Sequence, residues 1–116
     1  GWNSPEDVLS EFEIFYSSIK KSLPNTMVFA ISIQPSPSRF DQRPRQLKWN
    51  DAVRALAMKE KSLVFIDVSP PMLSEDRKPR PELYTDDLLH MNEKGYKIWA
   101  KLIKFNLKKY FPEDFL

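Results

Sequence analysis

Val8, Phe12, Phe15 and Ile19 recur at helical spacing in a segment that opens on Ser4-Pro5-Glu6-Asp7 and stops before Pro24. A hydroxyl able to cap, a proline at the first helical position and acids in the positive first turn predict a helix over residues 5–22. From Met27 to Ile33 that spacing gives way to an almost unbroken apolar run, Met-Val-Phe-Ala-Ile-Ser-Ile, which suits a strand covered on both faces. A polar loop from Gln34 to Arg45 follows, and then a second helical pattern carrying Leu47, Val53, Leu56 and Ala57. Leu63 to Val68 repeats the buried-strand pattern. Pro70-Pro71 and the charged stretch Glu75 to Pro81 form a long connection, after which Asn92 can cap a last helix carrying Trp99, Leu102, Ile103 and Leu107.

The order α-β-α-β with doubly covered strands predicts an α/β layered fold with a parallel sheet. Two strands cannot make an independent sheet, because three or more are generally needed to bury a face. Something should therefore lie beyond the Met27–Ile33 strand, either sequence upstream of this chain or a partner such as a second copy, since an open apolar edge pairs with whatever it meets.

Composition narrows the picture only slightly. With 116 residues, 41% hydrophobic and 29% charged, the chain reads as one globular unit with one small core. A net charge of +2 from near-balanced acids and bases lacks the field of a dedicated nucleic-acid binder. The absence of cysteine excludes disulfides and thiolate metal sites but fits reducing and oxidising compartments alike. No apolar run approaches the roughly 20 residues that span a bilayer, and the first residues carry neither a basic nor an apolar signal region.

The chemistry concentrates in Asp87-Leu88-Leu89-His90, which holds the only histidine of the chain. An imidazole serves as a general base near neutral pH once its tautomer and ring plane are set, and a carboxylate three residues away can set both. A nucleophile and an oxyanion hole are also required, and neither is evident in these residues.

Asp87-Leu88-Leu89-His90, running into Met91-Asn92-Glu93-Lys94-Gly95-Tyr96 and Trp99, resembles the last block of the SGNH, or GDSL, hydrolases. Ser4-Pro5-Glu6-Asp7-Val8-Leu9, the loop Gln34-Pro35-Ser36-Pro37-Ser38-Arg39 and Pro81-Glu82-Leu83-Tyr84 are similar to other segments of the same hydrolases, in the same order. The resemblance implies a three-layer α/β/α, flavodoxin-like fold with a parallel sheet, of which residues 1–116 would be the C-terminal half. It implies His90 as the base, Asp87 as the group that orients it, and a small-molecule ester, acyl or acetyl, of a lipid or carbohydrate as substrate. No cofactor or metal is implied, and a secreted or periplasmic location is left open.

In that family a serine in a Gly-Asp-Ser block attacks the ester, and a glycine and an asparagine complete the oxyanion hole. Here the glycines are Gly1 and Gly95, and neither precedes Asp-Ser. Gly1-Trp2-Asn3 faintly matches the block that supplies the asparagine, which makes Asn3 an oxyanion candidate. Leu88 stands where many members have glycine. The expectation is an esterase half that carries the acid/base pair and is inert by itself, its nucleophile lying in a missing N-terminal part. The alternative is a non-catalytic α/β interaction module that assembles through its open sheet edge.

Ser36, Ser38 and Arg39 follow the C-terminal end of a predicted parallel strand, where α/β folds place their sites, and are candidates for the substrate cleft or for simple turn chemistry. Asp86, Asp87 and His90 are too few for a metal site. Lys97, Lys101, Lys104 and Lys108, with Arg43, Arg45 and Lys48, read as solvated faces rather than a phosphate-binding surface. Phe12, Phe15 and Trp99 read as core.

Overall fold

The computed structural model describes residues 4–115. Helices α1 (Pro5–Ser22), α2 (Arg43–Lys59) and α3 (Glu93–Tyr110) and strands β1 (Val28–Ile31) and β2 (Leu63–Ile66) follow one another as α1-β1-α2-β2-α3. Short 3-10 turns fill Pro37–Gln42, Pro70–Met72, Pro81–Leu83 and Pro112–Phe115. Compact contacts divide the chain into two units, one drawn from Gly1–Ile31 and Gln42–Phe65, the other from Ser32–Asp41 and Ile66–Leu116.

In the first unit α1 starts as its sequence requires. The Ser4 hydroxyl accepts a hydrogen bond from the Asp7 amide at 3.1 Å. At the other end Lys20 Nζ donates to the carbonyls of Pro24 (2.5 Å) and Thr26 (3.0 Å) and to Ser62 Oγ (2.8 Å), so one ammonium ties the helix end, the turn after it and the start of β2 together. The face that α1 buries is rotated by one position from the predicted one. Tyr16 is buried, with Leu9 and Phe12 packed beside it, whereas Phe15 is 57% exposed. Both registers of a helix with apolar residues at 15 and 16 satisfy the 3.6 period, so only the shape of the neighbouring surface chooses between them.

That surface comes from α2 and the sheet: Ala30, Val53 and Leu63 form the buried centre with Tyr16, flanked by Val28, Trp49, Leu56, Ala57 and Phe65. The Phe12 and Trp49 rings meet edge to face, 6.1 Å between centroids. Leu47, expected on the inner face of α2, is 44% exposed. Arg43, counted above with a solvated basic face, is instead buried and donates to Gln46 Oε1 at 3.1 Å.

The two strands pair with each other and run parallel. Val28 N donates to Ser62 O at 2.7 Å and Ser32 N to Ile66 O at 2.9 Å, so the ladder advances in the same direction on both strands. Both are shorter than their apolar runs. Past Ile31 and Ile66 the side chains of Ser32 and Asp67 replace the ladder: Ser32 Oγ donates to Asp67 Oδ1 (3.1 Å) and accepts from Val68 N (2.9 Å), and Asp67 Oδ1 also accepts from Ser69 N (2.9 Å). The cover is uneven as well. Leu63, Val64 and Ile66 of β2 are buried, whereas Ala30 is the buried residue of β1 and its neighbours on that strand are only partly buried.

In the second unit, Met72 and Leu83 are fully buried, and the Trp99 indole N–H points at Met72 Sδ, 3.3 Å away. The charged stretch after Pro70-Pro71 is a tight turn rather than a slack connection. Leu73 and Pro79 form an antiparallel bridge, Ser74 N donates to Lys78 O at 2.9 Å, and Arg77 takes the left-handed conformation (φ 62°) at its tip. Arg80 Nη1 then reaches back to Pro71 O at 2.8 Å. No helix among the described residues is long and apolar enough to cross a membrane. Lys97, Lys101, Lys104 and Lys108 are exposed along α3, and Lys97 lies 3.4 Å from Glu93 one turn earlier.

Candidate active site

Residues 84–91 form a closed loop. Tyr84 and Met91 pair as an antiparallel bridge, Thr85 N donates to His90 O at 2.8 Å, and Leu88 N donates to Thr85 O at 2.9 Å. Leu88 sits at the apex with φ 57°, a conformation that costs a branched residue roughly 1–2 kcal/mol relative to glycine. This explains physically why glycine suits that position in the hydrolases the motif resembles.

The loop presets the carboxylate. Asp87 Oδ1 accepts three hydrogen bonds, from Thr85 Oγ1 (2.7 Å), Leu89 N (2.9 Å) and His90 N (2.9 Å). The other oxygen, Oδ2, meets His90 Nδ1 at 2.5 Å. An ionised carboxylate only accepts, so the imidazole proton sits on Nδ1, and Nε2 is left as the acceptor. The hydrogen bond from the His90 ring, followed by the amides of His90 and Leu89 and the Thr85 hydroxyl, holds the Asp87 carboxyl well below the usual carboxylate range. A folded-state value depressed in this way adds stability that is fully present above the unfolded value of about 4, declines as pH falls below it, and is gone once pH has fallen through the folded value. Asp87 is therefore charged wherever an imidazole base could work. The pair faces solvent, with the His90 side chain 72% and that of Asp87 48% exposed.

Two supports hold this loop in place. Behind it, Asn92 caps α3 through Oδ1, which accepts from Gly95 N at 3.1 Å, while its Nδ2 donates to Glu82 O (2.8 Å) and Tyr84 O (3.2 Å) and its backbone N to Leu83 O (3.0 Å). One side chain thus anchors the helix that follows His90 to the segment that precedes Thr85. On the other side lies the 34–38 loop: Gln34 Nε2 donates to Leu89 O (3.4 Å), Ser38 N donates to Leu88 O (3.1 Å), and the Tyr84 hydroxyl donates to Pro35 O. Asn92→Ala is expected to lower the unfolding free energy by about 1–3 kcal/mol, one cap plus two side-chain bonds, read as a lower urea midpoint at unchanged slope.

Among the candidates named from the sequence, His90 and Asp87 are thus brought into direct contact. Ser38 and Arg39 are exposed beside the loop, whereas the Ser36 side chain is buried and its carbonyl closes a turn with Arg39 N at 3.2 Å. Asn3 lies outside the described residues. Thr85, Gln34 and the second role of Asn92 were not anticipated. Thr85 alone had a readable signal, a hydroxyl two residues before an aspartate in a turn-rich segment. Among the described residues no group of three His, Asp or Glu side chains is arranged to hold a metal ion.

In solved structures the same fold recurs. A protein from Streptococcus pneumonia provisionally named a platelet activating factor superposes with a TM-score of 0.77 at 24% identity, over 89% of this chain and 51% of its own. The esterase domain of the ZfL2-1 ORF1 protein, from the zebrafish ZfL2-1 retrotransposon, superposes with a TM-score of 0.78 at 21% identity, over 94% of this chain and 62% of its own. The chain thus spans between half and two thirds of each of these structures. No curated protein matches it in sequence. The expected α/β architecture of the SGNH hydrolases is the fold of this chain. The family model of the GDSL-like lipases and acylhydrolases matches residues 2–98, the loop of Asp87 and His90 included, and the chain belongs to that family.

Proposed function

We propose that these residues are the C-terminal part of a single serine ester hydrolase domain of the SGNH type, acting on acyl or acetyl esters of lipids or carbohydrates, and that they supply its acid/base half. The observation that carries this reading is the preset pair: Asp87 Oδ2 on His90 Nδ1 at 2.5 Å, with Oδ1 fully engaged by the loop. In the reaction His90 Nε2 takes the proton of a serine hydroxyl as that oxygen attacks the ester carbonyl, and then delivers it to the departing alcohol. Asp87 stabilises the imidazolium formed between the two steps. The serine and the greater part of the oxyanion hole belong to the N-terminal part of the domain, which would complete the sheet beside β1. Ser38 and Arg39 line the cleft next to the loop; Asn3 is the oxyanion candidate that this chain would contribute, and Ser36 shapes the cleft from beneath.

The 116 residues alone are expected to hydrolyse no ester and to take no label from a fluorophosphonate, since among the described residues no serine hydroxyl is hydrogen-bonded to His90. In the longer polypeptide that carries the Gly-Asp-Ser block, His90→Ala is expected to cut hydrolysis of a short-chain nitrophenyl ester by at least about 10³-fold. Activity that survives the substitution rejects His90 as the base. A non-catalytic interaction module gives no reason for an imidazole held so fully in one tautomer, and a single monomeric species in ultracentrifugation counts against it.

A further inference from the structure

We propose that Thr85 is a positioning residue: its hydroxyl orients Asp87 so that the carboxylate keeps the His90 proton on Nδ1. The proposal deepens the reading of His90 as a base and rests on it. Thr85 Oγ1 lies 2.7 Å from Asp87 Oδ1 and is, among the described residues, the only side-chain donor to that oxygen. The other two donors, the amides of Leu89 and His90, stand on the far limb of the loop and move with His90 itself. Thr85 stands on the near limb. It is tied across the loop by its own N–H to His90 O and by its carbonyl to Leu88 N, next to the bridge of Tyr84 with Met91.

Asp87 is about half exposed, so burial does not restrict its rotamer. With only the two far-limb amides, the carboxylate could pivot about Oδ1 and carry Oδ2 away from Nδ1. A third donor from the opposite limb removes that freedom, because Oδ1 is then held from both sides and Oδ2 has one direction left, toward the imidazole. In water an unpaired imidazole carries its proton on either nitrogen, so the tautomer reports whether Asp87 is in place.

His90 is the only histidine, which makes the test direct. The 15N shifts of Nδ1 and Nε2 in the 116-residue chain, at a pH where the ring is neutral, give the ratio of the two tautomers without any turnover. The wild type is expected to be predominantly protonated on Nδ1. Thr85→Val, which keeps the shape and removes the hydroxyl, should lower the ratio of the Nδ1–H to the Nε2–H form by roughly 2- to 10-fold, the range of one hydrogen bond. Thr85→Ser should restore it, and Thr85→Ala should repeat the loss if valine perturbs the fold. An unchanged ratio in both Thr85→Val and Thr85→Ala overturns the role of Thr85 while leaving His90 as the base. A loss that serine does not restore overturns it as well, because the hydroxyl is then not the cause. A wild-type ring protonated mainly on Nε2 overturns both readings.

Discussion

Asp87→Asn is expected to reverse the tautomer of His90 and, in the nucleophile-bearing hydrolase proposed above, to lower kcat by about 10⁴-fold, with little change in fold. The loop dictates this result. An asparagine has one accepting and one donating end, and three donors converge where Oδ1 of Asp87 sits: Thr85 Oγ1, Leu89 N and His90 N. The amide oxygen must take that place, since the opposite orientation would set an NH₂ against three donors. The NH₂ then occupies the Oδ2 position, facing His90 Nδ1 across the 2.5 Å contact. The ring can remain there only with Nδ1 as acceptor and the proton on Nε2, where it cannot receive a proton from a nucleophile. The 15N shifts of the single histidine check the tautomer in the isolated chain, and ester turnover checks the rate. An asparagine variant that keeps Nδ1 protonated would show that the three donors do not govern the orientation of residue 87.

The second large effect concerns folding. A Cβ on Gly95 would lie 2.6 Å from Leu83 O and 2.9 Å from Met91 Cβ, closer than atoms can approach. Alanine favours a helix over glycine by up to about 1 kcal/mol, which alone would stabilise α3. The clash outweighs that gain. Leu83 O is backbone, it accepts from Asn92 N at 3.0 Å, and it belongs to a turn whose Leu83 side chain is almost wholly buried, so it cannot yield without dragging the turn and the cap with it. Gly95→Ala is expected to destabilise the chain by about 1–3 kcal/mol net, the range for overpacking a tight site, and Gly95→Val by more. Urea denaturation measures the change, with Lys101→Ala on the exposed face of α3 as a near-neutral control. A stabilised alanine variant would mean that the close approach of α3 to residues 81–84 is not needed. The same substitution should disturb His90, because the helix start and the loop share Asn92 as their anchor.

How far each of these features could be read from the chain depends on the range of the interaction behind it. The ends of α1 and the cap of α3 were legible, because Ser4 with Asp7 and Asn92 with Gly95 act across three residues. The Asp87 and His90 pair was legible for the same reason. The lengths of the strands were not. An apolar run marks what can be buried, whereas β1 and β2 end where Ser32 and Asp67 meet, and those two are far apart in sequence. The inner face of α1 was misjudged at Phe15, since a helical period tolerates either Phe15 or Tyr16 until α2 and the sheet supply a surface to fit. Arg43 reads as a surface charge in the sequence and finds its partner, Gln46, only in the folded helix.

By itself the sequence determined the order of helices and strands, their α/β class, the family block and the pairing of Asp87 with His90, because each rests on local spacing or on a contiguous motif. The tertiary structure decided what makes those two residues precise. It set the left-handed turn at Leu88, the three donors that orient Asp87, the reach of Asn92 to both sides of the loop, and the contact of the 34–38 loop with Leu88 and Leu89. Directional hydrogen bonds of this kind depend on where backbone carbonyls and amides come to rest, and that placement exists only once the chain has packed.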